Sequence, residues 1–147
     1  MKPDIQERVR FLRSVSFFSS LSEKDLSDIA IWSSRISYKK GDVIVREGSP
    51  GKGLYILISG KADVSVKVGS EKRIVGTLSA NDVFGEMSLI EETPRTSNVI
   101  SNGEAECIYL DAHILREKMT SHPAVMINLL KTICRRLRTT VQELRGF

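Results

Sequence analysis

The chain has 147 residues, of which 41% are hydrophobic and 27% charged, and its formal net charge is +4 at neutral pH. This composition is typical of a globular protein that buries a hydrophobic core. No apolar run approaches the roughly 20 residues that a membrane span needs. The charged N-terminal stretch lacks the apolar segment of a secretory signal. We therefore expect a cytoplasmic protein with no membrane partner.

Two helices are predicted at the start of the chain. Apolar residues at helical spacing after Pro3 indicate a helix over residues 3–13. Ser22 is a suitable N-cap for a second helix, which we expect to end near Ser33. Trp32, at the end of that helix, is expected to anchor it against the rest of the core.

The pattern changes from Arg35 onwards, where glycines separate short β-rich runs. These runs cover residues 43–45, 54–58, 62–68, 73–78, 97–100 and 105–110. In the third run, Val64, Val66 and Val68 alternate with Ser65 and Lys67, which predicts one buried and one solvated face. Short strands between glycine turns are typical of an antiparallel barrel or sandwich.

Two more helices are predicted after the strands. Asp111 is a suitable cap for the first, and Pro123 suits the first turn of a long helix that runs to about Arg145. An apolar stripe with heptad-like spacing follows this long helix: Met126, Leu130, Ile133, Leu137 and Leu144. The stripe either packs on its own barrel or pairs with a second copy in a homodimer, and the pattern leaves both open. Basic residues on the same helix are interpreted as a solvated face, so we expect no nucleic-acid contact from this chain.

The remaining reactive residue types suggest no enzyme. Cys107 and Cys134 match no metal or redox spacing, and both are expected to be buried, reduced thiols. His113 and His122 form no strand-borne His-x-His pair, which argues against a metal-dependent barrel enzyme. No nucleophile lies in a pattern with a base, so we expect no catalysis, no metal and no resident cofactor.

One segment, residues 84–97, combines groups that suit a small anion with a neighbouring hydroxyl. Gly85 allows close approach to the backbone, and the N–H groups of a following helical turn have no intrahelical partner. Arg95 suits phosphate oxygens, and Thr96 and Ser97 add hydroxyl donors. Glu86 would repel a phosphate unless it accepts a hydrogen bond from a hydroxyl such as that of a ribose. The alternative interpretation is a plain surface ion pair between Glu86 and Arg95.

This segment resembles the phosphate-binding cassette of the cyclic nucleotide-binding domain family, which is Phe-Gly-Glu, a small residue and Leu, then Pro-Arg and small residues. Here Phe84-Gly85-Glu86, Ser88-Leu89 and Pro94-Arg95-Thr96-Ser97 carry that pattern. Residues 41–64 are similar to the opening hairpins of the family. Ser88 replaces the commoner Ala, and Asn81 stands where a Gly often precedes the cassette.

The resemblance implies the fold: mainly β with flanking helices, a double-stranded β-helix (jelly-roll) barrel of about eight strands, a short phosphate-binding helix and a long C-terminal helix. It predicts a single domain over 1–147. Its parts are N-terminal helices over 1–34, a barrel over 35–110 with the cassette at 84–97, and lid or dimer helices over 111–147.

The resemblance also implies roles for single residues. Glu86 would accept the ribose 2′-OH, and Arg95 would pair with the cyclic phosphate. On the last helix, Thr140 would lie over the base and Arg136 would reach toward Glu86. The predicted ligand-binding residues are Phe84, Gly85, Glu86, Met87, Ser88, Arg95, Thr96, Ser97, Arg136 and Thr140.

The functional expectation is a cyclic nucleotide sensor whose C-terminal helices repack as a switch in signal transduction. The ligand is expected to be cAMP, with cGMP as the alternative. Two other functions remain open. One is a degenerate barrel that acts only as a dimerisation or interaction module, and the other is the sensor part of a DNA-binding transcription regulator. The sequence does not name the effector domain or protein.

Overall fold

The computed structural model describes residues 3–91 and 93–145. Helices α1 and α2 span Pro3–Ser14 and Glu23–Ile31, and a 3-10 helix at Ser16–Phe18 lies between them. The strands are β1 Ser34–Tyr38, β2 Val43–Val45, β3 Gly53–Ser59, β4 Ala62–Val68, β5 Glu71–Leu78, β6 Val83–Phe84, β7 Asn98–Ser101 and β8 Ala105–Asp111. A second 3-10 helix, Glu86–Leu89, follows β6 and is called the cassette helix below. Helices α3 and α4 span Ala112–Thr120 and Pro123–Leu144.

The strands form two antiparallel four-stranded sheets. The first has the order β1-β8-β3-β6 and the second the order β2-β7-β4-β5. In the first sheet, Leu54 of β3 lies opposite Leu110 of β8, and Ile56 lies opposite Ile108. This arrangement, with helices before and after the strands, is the predicted jelly-roll fold, and the prediction is confirmed.

The first sheet is buried on both faces, which explains why β3 is almost continuously apolar. Leu54 and Ile56 pack into a core shared with the four helices. Leu57, the next residue on the opposite face, packs into a second core that residues of both sheets form. Because water meets neither face, alternation of polar and apolar residues disappears from this strand.

The helix caps lie where the sequence predicts them. The Ser22 side chain accepts a hydrogen bond from the backbone N–H of Asp25, at 3.1 Å. Asp111 caps α3 by accepting from the N–H groups of His113 and Ile114, at 2.9 and 3.3 Å. Each cap satisfies backbone donors that a helix leaves without intrahelical partners, so the local sequence determines both starts.

The predicted alternation along β4 is wrong. Ser65 is fully buried, whereas Val68 is 48% exposed. The reason is topological, because β7 pairs with β4 only as far as Ser65, which lies opposite Asn98. Beyond that residue, no other described strand pairs with the β4–β5 ribbon. Near the tip of this ribbon, Lys67 and Val68 are both exposed although they lie on opposite faces.

Two further burial predictions are wrong. Trp32 follows the last turn of α2 and is 65% exposed, so it does not anchor that helix in the core. Cys107 is buried as expected, but Cys134 is exposed on α4. In α4 only Val125 and Leu129 are buried, and both lie near its N-terminal end.

The apolar stripe of α4 is mostly open. Ile133 packs partly against the core, whereas the other members are largely exposed: Met126, Leu130, Leu137 and Leu144. Packing on its own barrel therefore accounts for only one of its residues. Pairing with a second copy stays a prediction.

Among the described residues, no helix combines the length and apolarity that crossing a bilayer requires.

Candidate functional site

A cavity of about 240 Å³ lies where the cassette meets the core between the two sheets. Its size is near the lower limit of small-molecule sites, about 300 Å³. Apolar side chains of both sheets form its floor, and residues of the cassette and Arg136 of α4 form its polar edge. The cavity therefore combines a dry floor with a few polar groups at one side, as ligand pockets do.

Gly85 brings the backbone of the cassette against a guanidinium group. Its φ of +81° lies in the left-handed region that favours glycine. A Cβ at this position would lie 2.5 Å from Nη1 of Arg95 and 3.0 Å from the carbonyl oxygen of Gly53. Both the backbone angle and the space thus require a residue without a side chain.

Arg95 is held by main-chain carbonyls. Its Nη2 donates to the carbonyl of Gly53 at 2.7 Å, and its Nη1 donates to that of Gly85 at 3.3 Å. Its own backbone N–H donates to Ser49 and its carbonyl accepts from the N–H of Gly48, each at 2.8 Å. Within residues 3–91 and 93–145, no carboxylate forms an ion pair with Arg95. The alternative of a Glu86–Arg95 surface pair is therefore wrong for this arrangement.

Glu86 starts the cassette helix and is buried, at 8% exposure. Its Oε1 accepts a hydrogen bond from Nη1 of Arg136, and Nη2 of the same guanidinium donates to the carbonyl of Val83 at 2.6 Å. The sequence prediction that Arg136 reaches toward Glu86 agrees with this contact. The ion pair lowers the cost of burying the carboxylate and ties α4 to the cassette.

Aromatic packing supports the start of the cassette. The ring of Phe84 is buried and stacks on Tyr55, with centroids 5.1 Å apart and planes 6° from parallel. The ring of Tyr109 also packs against that of Tyr55, with centroids 5.0 Å apart. Burial raises the pKa of Tyr55, while the charge of Arg95 opposes that shift. Tyr55 therefore stays protonated and neutral near pH 7.

The other predicted residues divide between two cavities. Met87, Thr96 and Ser97 line the cassette cavity, whereas the side chain of Ser88 lies outside the described part of the structure. Thr140 lines a larger neighbouring cavity of about 710 Å³ between β5 and α4, and its hydroxyl donates to the carbonyl of Arg136 at 3.0 Å. The two cavities share four lining residues: Val64, Leu78, Val83 and Arg136.

Sequence reasoning missed the groups that hold the two guanidinium groups in place. These are the carbonyl oxygens of Gly53 and Val83, on β3 and β6. Every residue has a backbone carbonyl, so the sequence does not show which carbonyl will accept a hydrogen bond. The one available indication was that position 53 is a glycine, which allows another group to approach its backbone closely. Asn81, which stands where a Gly often precedes the cassette, has a left-handed backbone with φ of 74°, a conformation that Asn tolerates better than most residues.

A family model, the cyclic nucleotide-binding domain, matches residues 35–122, which is more than half of the chain. The chain belongs to the cyclic nucleotide-binding domain family. The matched region contains the whole cassette and, except for Ser34, both sheets, but it ends before α4. The matched domain is a regulatory, ligand-binding domain rather than a catalytic one.

Similar proteins come from several classes of regulator. The chain is 31% identical over 110 residues to a CRP-like cAMP-activated global transcriptional regulator of Mycobacterium tuberculosis, covering 74% of this chain and 49% of that protein. It is 37% identical over 111 residues to cGMP-dependent protein kinase, isozyme 1, of Drosophila melanogaster, covering 73% and 14%. The regulatory domain of Toxoplasma gondii PKA, solved with cAMP, superposes with a TM-score of 0.71 at 28% identity, covering 82% and 45%. This cyclic nucleotide-binding domain thus spans half or less of the length of these relatives.

Within the described residues, the domain contains no group of three or more side chains suited to hold a metal ion. His113 lies in the first turn of α3, and His122 lies just before α4.

Proposed function

We propose that this domain binds a purine cyclic nucleotide, cAMP by preference, and acts as the sensor part of a longer regulator. The observation that carries the proposal is the placement of Arg95. Its guanidinium lies at the edge of the cassette cavity, is held only by main-chain carbonyls among the described residues, and faces the backbone of Gly85. A fixed positive charge with donors to spare is what an anionic ligand requires.

The cyclic phosphate is proposed to lie between Arg95 and the N-terminus of the cassette helix. The two carbonyl contacts fix the orientation of the guanidinium without neutralising it. Its remaining N–H groups, the backbone N–H groups of the turn that begins at Gly85, and the hydroxyls of Thr96 and Ser97 can then donate to phosphate oxygens. Such charge-assisted bonds are stronger than neutral ones.

The ribose is proposed to bind Glu86. Arg136 engages Oε1 of this carboxylate, and the second oxygen is the proposed acceptor for the ribose 2′-OH. The guanidinium of Arg136 offsets the negative charge of this carboxylate and so lowers its repulsion of a phosphate nearby. This arrangement would select a ribonucleotide, since a 2′-deoxy ligand offers no donor at that position.

The base is proposed to extend into the larger cavity beside α4. Val83 and Arg136 lie at the border that the two cavities share, and Thr140 lies farther along α4. The preference for cAMP rests on the sequence similarity to a cAMP-activated regulator, while the kinase relatives named for cGMP make cGMP the alternative. The hydroxyl of Thr96 is compatible with either base.

The switch is proposed to act through α3 and α4. Helix α3 packs against the cassette helix, and α4 sends Arg136 to Glu86. A ligand that moves the cassette would therefore change where both helices lie. It can shift that equilibrium only by the difference between its affinities for the two arrangements.

One observation favours a second role. The exposed apolar stripe of α4 suits pairing with a second copy, so a dimerisation or interaction module is the other candidate. The two roles make separate predictions, because a module of that kind forms a stable dimer without binding any nucleotide.

The test is calorimetric titration with cAMP and with cGMP, after unfolding and refolding to remove carried-over nucleotide. We expect tight binding of cAMP and a loss of about 2–5 kcal/mol in Arg95→Ala, since the phosphate loses its charged partner. Arg73→Ala, on the exposed β5, is the matched control and should bind like the parent. Folded protein that gives no heat with either nucleotide would reject the sensor, and undiminished binding by Arg95→Ala would reject the role of Arg95.

A further inference from the structure

A separate cavity of about 320 Å³ lies between the turn that follows β2 and the strands β3 and β8, and it is called the outer cavity below. Its volume lies at the lower end of the range for small-molecule sites, about 300 to 1,000 Å³. Val45 and Arg95 are the two lining residues that it shares with the cassette cavity. Arg95 therefore borders both cavities.

Three cationic side chains line the outer cavity, and none of the described residues that line it is acidic. The three are Arg46 and Lys52, from the turn and its end, and Arg95. In the part of the chain that the structure describes, neither Arg46 nor Lys52 forms an ion pair. The carboxylate of Asp111 caps α3 and lines a different cavity. Like charges that converge without a counter-charge repel one another, and an anion between them would remove that repulsion.

Two tyrosines also line the outer cavity. The rings of Tyr55 and Tyr109 pack against each other, and Arg95 donates to the carbonyl of Gly53, which lies against the ring of Tyr109. Burial raises the pKa of both phenols, while the charge of Arg95 opposes that shift. Both phenols therefore stay protonated at neutral pH and can donate hydrogen bonds to an anion. Among the described residues, no protein acceptor occupies either hydroxyl.

The turn is fixed against Arg95 by its own backbone. The N–H of Gly48 donates to the carbonyl of Arg95, and the N–H of Arg95 donates to the carbonyl of Ser49, each at 2.8 Å. The hydroxyl and the N–H of Ser49 both donate to the carbonyl of Arg46, at 2.6 and 3.1 Å. The cavity is thus formed before any ligand arrives, which lowers the entropic cost of binding.

We propose that the outer cavity is a second anion site, which binds the phosphate group of inorganic phosphate or of a small phosphate ester. Guanidinium and ammonium groups form charge-assisted hydrogen bonds with phosphate oxygens, and the phenols add neutral donors. A divalent phosphate offsets three positive charges better than a carboxylate, which carries a single negative charge. The site is distinct from the cassette, because Arg46 and Lys52 do not line the cassette cavity.

The second site should oppose the first, and this coupling rests on the proposed function, in which Arg95 pairs with the cyclic phosphate. A guanidinium has five N–H donors, and the carbonyls of Gly53 and Gly85 already take two of them. A phosphate in the outer cavity would compete for the remaining donors and place a second negative charge near the first. Each anion should therefore weaken the binding of the other by the same factor.

Backbone amide NMR spectra show where phosphate binds without any nucleotide. In a titration with inorganic phosphate at constant ionic strength, we expect the amides of Ser49, Gly51 and Lys52 to shift in a saturable manner, and more than those of Glu86 and Met87. Glycerol 3-phosphate is the second probe: tighter binding than that of phosphate assigns the site to esters, and equal or weaker binding assigns it to the free ion. Largest shifts at Glu86 and Met87 would overturn the second site, since the anion would then lie in the cassette.

Three single substitutions test the cations of the outer cavity. Lys52→Gln and Arg46→Gln each remove one of them, whereas Lys61→Gln is the matched control, because Lys61 is exposed between β3 and β4 and does not line the outer cavity. We expect phosphate affinity to fall about three- to tenfold in the first two variants and to stay unchanged in the third. Equal affinity in all three would overturn the site, and the use of two test variants keeps the result independent of how well either one folds.

Titration with cAMP, in chloride and in phosphate at matched ionic strength, tests the coupling. We expect cAMP affinity to be about fivefold or more weaker in phosphate for the parent and Lys61→Gln, with a smaller loss in Lys52→Gln. Equal losses in the parent and Lys52→Gln would mean that phosphate competes inside the cassette, which overturns the coupling through the outer cavity. Unchanged cAMP affinity despite amide shifts at Ser49 and Lys52 would overturn it as well. If cAMP binds in neither buffer, the proposed function fails, while the amide titration still decides for or against the second anion site.

Discussion

The guanidinium of Arg136 bridges the carboxylate of Glu86 and the carbonyl of Val83, so a single residue of α4 contacts both the cassette helix and the end of β6. The side chain of Glu86 is almost fully enclosed, whereas that of Arg136 is 45% exposed. The bridge therefore joins a fixed, buried acceptor to a donor on a helix whose outer half extends into solvent. Of the two partners, Arg136 is the one that can move.

Replacing Arg136 with Met should weaken both folding and nucleotide binding. The change leaves the Glu86 carboxylate and the Val83 carbonyl without this donor, which we expect to cost about 1–3 kcal/mol of unfolding free energy. Thermal unfolding and calorimetry with cAMP measure the two effects. Arg138→Met on the exposed side of α4 is the control and should stay within about 0.5 kcal/mol of the parent.

A double-mutant cycle then separates the bridge from general effects of α4. If Arg136→Met and Glu86→Gln act through their mutual contact, the double variant should be more stable than the sum of the single losses predicts. Strict additivity would show that the two side chains contribute independently.

Replacing Gly85 with Ala should abolish most of the nucleotide affinity. The new Cβ would meet Nη1 of Arg95 and force the guanidinium away from the cavity edge. Gly41→Ala is a matched control, because Gly41 also has a positive φ, of +88°, but a Cβ there meets nothing within 4 Å. Both variants should lose about 1–2 kcal/mol from backbone strain.

The two glycine variants are compared by unfolding and by titration with cAMP. Only Gly85→Ala should lose affinity beyond what its stability loss explains. Equal affinities in the two variants would mean that the position of Arg95 does not control binding.

Thr140 and its neighbour Thr139 test how the base is recognised. Each hydroxyl donates to the carbonyl four residues earlier, Thr139 to Arg135 at 3.1 Å and Thr140 to Arg136 at 3.0 Å, so replacement with Val perturbs the helix equally. We expect Thr140→Val to weaken cAMP binding by about 1 kcal/mol and to alter the ratio of cAMP to cGMP affinity. Thr139→Val should leave that ratio unchanged, and an identical effect of both changes would remove Thr140 from the base contact.

The two cysteines should react at very different rates with a thiol reagent. Cys134 is exposed on α4, whereas burial raises the pKa of Cys107 to about 12. At about pH 8 only on the order of one Cys107 in 10⁴ would be ionised, and the thiolate is the reactive form. We expect one fast and one slow equivalent, with the fast phase missing in Cys134→Ser. Two fast phases from folded protein would contradict the burial of Cys107.

The sequence predicts what depends on short-range chemistry. Ser22 and Asp111 cap helices through their own side chains, at the positions that the sequence predicts. The position of Arg136 against Glu86 also agrees with the sequence prediction, although 50 residues separate them in the chain. The family resemblance, and not the residue pattern around Arg136, was the basis of that prediction.

What the sequence does not predict depends on which elements lie side by side. Ser65 is buried because β5 and β7 flank β4 at that residue, whereas Val68 is exposed because β7 has already ended. Trp32 is exposed together with the preceding Ile31, so the C-terminal end of α2 presents both apolar side chains to solvent. The two carbonyls that orient Arg95 and Arg136 belong to strands paired in the sheet, and no residue type encodes them.

The backbone of Arg95 is attached to the turn after β2, through Gly48 and Ser49, rather than only to the chain that leads to it from Glu86. The number of residues between the cassette helix and Pro94 is therefore not what places the guanidinium. Inserting a few residues between the cassette helix and Pro94 should leave the guanidinium of Arg95 in its place. Inserting a single residue between Arg46 and Pro50 should displace it. In an engineered nucleotide biosensor, a reporter domain inserted just before Pro94 should therefore be better tolerated than one inserted between Arg46 and Pro50.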